Sequence, residues 1–270
     1  MLINNVTVLD NSVPLWNGNT VKDFNSFIDT LDAKGSAPFA VSQGQKKYVT
    51  LTNSIWTGDW IVIGINHDGT SDTVDLMPTK IMGGRNRTST SSSGCYDFSS
   101  NSQLYHKNGN SNDYLRYYIE NDIVNGFDSA IQSRLTTFDY VCSEGIDTGT
   151  TGASSDSIVT YSAKAVALSF AEIGGSENAT NYCPKAEGTR YEFFSGSKSY
   201  GQTYGTDLDL KFTDSVTTRY SSYLGRWGLR SRFAYDSNYV MYVYSSGYIL
   251  DDYYTDALFG ALPRILFTKS

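Results

Sequence analysis

The sequence predicts an α+β domain, with two or three helices early in the chain and many short strands later, joined by long polar loops. Three observations carry this. Apolar residues recur at helical spacing over Phe24, Phe27, Ile28 and Leu31, and again at Leu115, Ile119 and Ile123. From Lys47 onward, short apolar or alternating runs bounded by turn residues recur, as strands require. No internal repeat of fixed period is present, which argues against a solenoid or propeller. Helical signals early and irregular short strand signals late read as one α+β domain.

Residues 1–19 read as an arm ahead of a domain spanning 20–270. Asn5-Val6-Thr7-Val8-Leu9 alternates like a short strand, and Pro14, Leu15 and Trp16 add an apolar anchor. Leu2, Ile3, Val6, Val8 and Trp16 are the candidate assembly residues of this arm. Thr20 to Ala33 reads as a helix, with Thr20 and Asp23 placed like a capping box and Gly35 as its stop. Tyr48-Val49-Thr50-Leu51 and Trp60 to Ile65 read as strands. Asp68-Gly69 marks a turn, and Val74-Asp75-Leu76-Met77 reads as the returning strand. Gly83 to Ser102 is polar and reads as a loop. Ser111 to Ile123 reads as a helix capped by Ser111, with Asp113 in its first turn and Gly126 interrupting. Phe127, Ile131 and Leu135 mark a second short helix, and Thr148 to Asp156 is another exposed loop. Val240 to Tyr244 and Tyr248 to Leu250 flank Ser245-Ser246-Gly247 as a hairpin, and Leu262 to Phe267 ends the chain as a strand.

Composition narrows the function classes. Of 270 residues only 18% are charged, against roughly 25% in ordinary globular proteins, while Tyr numbers 21 and Gly 24. The formal net charge is −7, which is a poor match to polyphosphate and argues against nucleic acid as a partner. No stretch approaches the ~18 consecutive apolar residues of a membrane span, so no membrane insertion is expected. Met1 to Asp10 has no basic segment followed by a long apolar run, and no secretory signal is expected. Asn5, Asn86 and Asn178 each open an N-x-[ST] sequon, to which no glycan is assigned on that account. Cys95, Cys142 and Cys183 are odd in number and widely spaced, which suits reduced structural thiols and not a disulfide framework or a zinc knuckle.

Five blocks, in order, resemble a known family. They are the helix at 20–33 with Trp60 to Gly69 and Val74 to Pro78; Ser111-Asn112-Asp113-Tyr114-Leu115-Arg116; Leu168-Ser169-Phe170-Ala171-Glu172-Ile173-Gly174; Trp227-Gly228-Leu229-Arg230-Ser231; and Gly260-Ala261-Leu262-Pro263-Arg264-Ile265-Leu266. They resemble the uncharacterised C-type-lectin-like and formylglycine-generating-enzyme-fold domains of Firmicutes and their phages. One departure is that Leu262 stands where that family carries an arginine, and Arg264 follows two residues later. The resemblance implies a C-type-lectin-like fold, with short antiparallel sheets, two or three flanking helices and an exposed loop face. It also implies a virion setting, as a capsid decoration, fibre or tail adhesion module. A Firmicute cell-surface carbohydrate-binding protein is the alternative, and a formylglycine-generating-type oxidase a further one. The copper-binding cysteine pair of such oxidases has no counterpart, since no Cys follows Cys183.

The residues themselves do not point to catalysis. His67 sits in a turn, Asn66-His67-Asp68-Gly69, and reads as a locally bonded turn residue; His106 reads as a solvated loop residue. No G-x-S-x-G elbow is present. Neither a cofactor nor a metal is assigned, although Asp207 with Asp209, and Asp251 with Asp252, could offer oxygen ligands to calcium. Trp227 and Arg230 read as residues of the core edge, Arg230 capping backbone carbonyls. The densest feature is Tyr235, Tyr239, Tyr242, Tyr244, Tyr248, Tyr253 and Tyr254, interleaved with Asp236, Asn238, Ser245, Asp251 and Asp252. Rings with polar tips suit sugars or protein surfaces. The expected binding face comprises Tyr235, Asp236, Asn238, Tyr239, Tyr248, Asp251, Asp252, Tyr253 and Tyr254, directed at a host-surface glycan or protein. The arm would engage other virion proteins or identical subunits.

Overall fold

The computed structural model describes residues 21–41, 46–83, 96–97, 115–144, 157–175, 187–196, 210–215, 224–232, 239–253 and 258–270. The arm residues Leu2, Ile3, Val6, Val8 and Trp16 lie outside them, as do Cys95, His106, Ser111, Asp113, Cys183, Asp207 and Asp209.

The chain opens with β1 (Val21–Asp23) and α1 (Phe24–Lys34). The helix therefore starts four residues later than Thr20. Val21 to Asp23 are held extended beside Tyr48 to Thr50, and Asp23 is the cap, its carboxylate accepting from the Ser26 amide at 2.9 Å. Gly35 ends the helix at φ 68; a Cβ there would lie 2.0 Å from Asp72 Oδ1, so both the backbone sign and the space require glycine. Then follow β2 (Tyr48–Leu51), β3 (Gly58–Ile65), β4 (Thr73–Pro78), β5 (Lys80–Ile81) and β6 (Tyr96–Asp97).

A helical stretch comes next, made of α2 (Leu115–Tyr117), a π-helical segment (Tyr118–Ile123) and α3 (Val124–Gly126). Its end is tied down by the loop after β2. Asn53 Nδ2 donates to the Ile123 carbonyl at 2.8 Å, and the Ser54 amide donates to that of Gly126 at 2.7 Å. A Cβ on Gly126 would meet Asn53 Oδ1 at 2.6 Å, which is why the interruption falls on a glycine. The second short helix, α4 (Ser129–Arg134), is capped by Asp128.

The remaining strands are β7 (Phe138–Glu144), β8 (Ser157–Ala163), β9 (Ala165–Ala167), β10 (Thr213–Asp214), β11 (Trp227–Arg232), β12 (Tyr239–Val243), β13 (Ile249–Tyr253), β14 (Leu258–Phe259) and β15 (Pro263–Thr268). The main sheet is six-stranded, in the order β1-β2-β3-β4-β15-β9, with β1 and β2 parallel and the other neighbours antiparallel. It is larger than the short antiparallel sheets expected, and its edge pair is parallel. The chain's last strand thus lies inside the sheet. A three-stranded sheet, β11-β12-β13, and three two-stranded pairs, β10-β5, β14-β6 and β7-β8, complete an α+β architecture.

The main sheet separates two cores. On β3, Trp60 and Val62 enter one and Ile61 and Ile63 the other, as the two-residue period dictates. The first core includes Phe27, which meets Phe39 and Phe267 edge-on at 5.0 and 5.3 Å, and the buried face of the helical stretch. The second includes Met77, Tyr191, Phe194, Trp227 and Leu229. The β3–β4 register slips between Val62 and Gly64, leaving Ile63 as a bulge and setting Gly64 opposite Asp75.

Candidate functional site

The hairpin expected near the end of the chain forms, with β12 paired to β13 and Gly247 at φ 91 in the turn. Its binding residues are only partly brought together. Tyr235, Asp236, Asn238 and Tyr254 lie outside the described residues. The backbone register sets Tyr239 opposite Tyr253, Val240 opposite Asp252 and Met241 opposite Asp251. Tyr242 is core, packed on Phe259 at 4.9 Å. Tyr248, half-buried, stacks on Tyr244 at 5.1 Å, and the Arg226 guanidinium lies 4.6 Å from the Tyr244 ring centre and 5.4 Å from that of Tyr242. Nearby Leu224 is the one exposed large apolar side chain among the described residues, at 37%. Tyr244 belongs to the tyrosine cluster of the sequence but not to the nine residues expected to bind, and Arg226 carries no mark in the sequence because it lies outside the run of tyrosines it covers.

A buried ionic centre borders both cores, the Arg264 guanidinium lying 4.2 Å from the Phe138 ring centre of the first and 5.3 Å from that of Tyr191 of the second. Arg230, from β11, uses all five of its N–H donors. They reach the carbonyls of Val141, Ala167 and Glu187 at 3.0, 2.8 and 2.7 Å, and the two Glu172 oxygens at 2.5 and 2.8 Å. Glu172 Oε2 also accepts from the Ser169 amide at 3.0 Å. Burial opposes the Glu172 charge, but Arg230, then Arg264 and the Ser169 amide outweigh it and hold the carboxyl below its ordinary value. Arg264, from β15, approaches Glu172 at 3.6 Å, donates through Nε to Asp75 Oδ1 at 2.7 Å and reaches Asp68 through Nη2. Arg230 thus does cap carbonyls, and it is paired as well. The carboxyl of Asp75, 1% exposed, is pushed up to about 6 by burial, which Arg264 only partly offsets. Its Oδ2 has no partner among the described residues.

Above Asp75 lies Tyr191, whose hydroxyl reaches Oδ1 at 3.3 Å, and on Tyr191 lies His67, stacked at 3.6 Å. A Cβ on Gly64 would sit 2.8 Å from the Tyr191 ring, so the glycine of β3 makes room for this stack. His67 does sit in the turn that the Gly69 amide closes on the Asn66 carbonyl, but its partners are not local. Its Nε2 faces the Thr189 carbonyl at 2.9 Å and the Thr189 hydroxyl at 3.2 Å, and its Nδ1 lies 3.9 Å from Glu192. A hydroxyl, an imidazole and a carboxylate in a row invite comparison with a nucleophilic triad. The hydrogen bonding argues otherwise. Burial disfavours the imidazolium, but Glu192, Asp75, Glu172 and the Thr189 carbonyl together raise its pKa. The Thr189 carbonyl can only accept, so Nε2 carries the proton of that contact and has no lone pair with which to take one from the Thr189 hydroxyl.

Glu172, Arg264 and Asp75 were open to a closer reading of the sequence. Each is a lone charge in an apolar run: Phe170-Ala171-Glu172-Ile173, Leu262-Pro263-Arg264-Ile265-Leu266 and Val74-Asp75-Leu76-Met77. A charge that must be buried needs a partner of opposite sign, and the three runs supply both signs. Tyr191 carried no such mark.

A third feature is an open groove of about 310 Å³ between the helical stretch and the end of β8, lined by Arg116, Tyr117, Glu120, Asn121, Val124 and by 162–164. The Glu120 carboxylate accepts from Arg116 Nε at 3.0 Å and from the Tyr140 hydroxyl at 3.1 Å. Burial raises the Glu120 pKa against the pull of Arg116. Cys142, on β7, is buried, and that burial pushes its thiol well up, away from the reactive thiolate.

Sequence comparison places this α+β chain in a family. The family described as "Domain of unknown function (DUF6273)" matches residues 81–267. That is well over half of the chain, and the protein belongs to this family. The match opens at β5 and closes within β15, so β1 to β4 precede it. No curated protein and no solved structure matches the chain.

Proposed function

We propose that this protein is a non-enzymatic bacteriophage virion component, a capsid decoration, fibre or tail adhesion module with a C-type-lectin-like fold. In this reading it holds a host-surface glycan or protein through the tyrosine-rich end of the β11–β13 sheet. The observation that carries the proposal is the stack of Arg226, Tyr244 and Tyr248 beside exposed Leu224. Rigid rings with polar tips and a cation over one face present the chemistry that saccharides and protein hot spots use. The order of the five sequence blocks supports the lectin-like fold and the virion setting. The arm at 1–19 is, in the same proposal, the attachment to other virion proteins or to identical subunits. The Arg230–Glu172 pair supports a holding role, because every guanidinium donor is spent inside the core.

The test is binding of the full chain to cell walls of candidate hosts and to a glycan array, beside the double variant Tyr244→Ala/Tyr248→Ala. Removing two stacking rings is expected to weaken binding at least about tenfold, the loss of ~1–2 kcal/mol of stacking energy. Undiminished binding by the folded double variant would overturn the assignment of this face.

A further inference from the structure

We infer that the groove beside the π-helical segment is a second binding site, and that it takes a carboxylated saccharide of the uronic-acid type. The inference stands apart from the tyrosine face, with which it shares no residue. Three observations converge on it.

The first is the backbone. Of the helical residues that line the groove, Glu120 and Asn121 lie within the π-helical residues Tyr118–Ile123, Tyr117 and Val124 flank them, and Arg116 stands one residue further back. Hydrogen bonds to i+5 widen the turn and have poorer geometry than the α-helix, and such segments concentrate at functional sites. Asn121 shows what the widened turn presents: its Nδ2 is tied to the Tyr117 carbonyl at 3.1 Å, while its Oδ1 accepts from no described residue.

The second is the charge balance. The groove's one carboxylate, Glu120, is already engaged by Arg116 and Tyr140. Lys164, on the opposite wall, has no ion-pair partner among the described residues; its ammonium makes one long contact, 3.4 Å to the Gln132 carbonyl. An ammonium with spare donors at the edge of a concave polar surface suits a carboxylate.

The third is shape. About 310 Å³ lies at the lower end of small-ligand sites and suits one or two sugar rings. Tyr117 lines the groove with a ring that stacks on no other described aromatic, while Asn121 Oδ1 and the Ser162 hydroxyl oxygen, whose proton goes to Asp139 at 2.5 Å, offer acceptors to sugar hydroxyls. Ring, amide and hydroxyl acceptors, and an ammonium with no ion-pair partner among the described residues, together describe a sugar bearing a carboxylate better than a bare anion, which has no use for the ring.

The test titrates the full chain with sodium glucuronate, glucose and sodium acetate, following backbone amide resonances of the groove. Saturable shifts with glucuronate in the millimolar range are expected, with glucose and acetate each at least about tenfold weaker. Lys164→Gln should lower glucuronate affinity about tenfold and leave glucose unchanged, whereas Tyr117→Ala should weaken both sugars. Tyr244→Ala should leave glucuronate binding intact, which separates this site from the tyrosine face. Absence of saturable shifts at tens of millimolar glucuronate, equal affinity for glucose, or equal affinity for acetate would each overturn the inference. The comparison of ligands needs no variant to fold.

Discussion

Arg230 and Glu172 show what a single pair can decide. Both side chains are almost wholly withdrawn from water, and the guanidinium has no donor left over. Taking ions out of water is costly, and only complete satisfaction makes the arrangement tolerable. Removing one partner therefore hurts far more than the pair itself contributes. Glu172→Gln keeps the shape and deletes the charge, leaving Arg230 buried with carbonyl acceptors and a neutral amide. We expect a loss of about 3–5 kcal/mol in urea denaturation. A loss below about 1 kcal/mol, the range of exposed pairs, would show that the centre is open to water.

At the scale of elements, the first helix is instructive. Its apolar face was legible, because Phe27 and Leu31 fall on one stripe and both are buried. Its start was not. A Thr followed three residues later by Asp looks like a capping box, yet Asp23 itself is the cap, because Val21 to Asp23 pair with β2. Local spacing cannot reveal a strand partner that lies more than twenty residues away. Asp23→Ala is expected to cost about 1 kcal/mol and Asp23→Asn little, as thermal or urea unfolding would measure. An equal cost for both would mean the carboxylate acts through charge and not as a cap. The same division holds for the binding faces. The β12–β13 hairpin was legible from its alternation and Ser-Ser-Gly turn, and the tyrosines from their density. The Arg226 contact and the groove were not, because each joins segments that are distant in sequence. The β7–β8 ladder carries its mark in the sequence too, since Phe138, Tyr140 and Cys142 alternate with residues outside the core.

For the whole molecule, the ionic centre ties the sheet together and makes stability depend on pH. Arg264 enters on the last strand, between β4 and β9, and meets Asp75 of β4 and Glu172 of the turn after β9. Its partners pull in opposite directions as the pH changes. Glu172 has a folded pKa below its ordinary value, so its stabilisation is present above pH 4.5 and is lost as pH falls through the lowered value. Asp75 does the reverse. Burial raises it from 3.8 to about 6, so its neutral form suits the fold, and stability from this group declines as pH rises between those values. A shift of this size corresponds to roughly 3 kcal/mol. His67 adds to the decline: its raised pKa contributes below 6.5 and is lost as pH rises through the folded value. Maximal stability is therefore expected in mildly acid solution rather than at neutral pH. Asp75→Asn isolates the main component, because the amide cannot ionise. Urea midpoints of the two proteins should diverge between pH 4 and 6, the wild type losing stability relative to the variant as pH rises. Parallel curves across that window would mean that Arg264 keeps Asp75 ionised throughout, and that the pH dependence of the fold lies elsewhere.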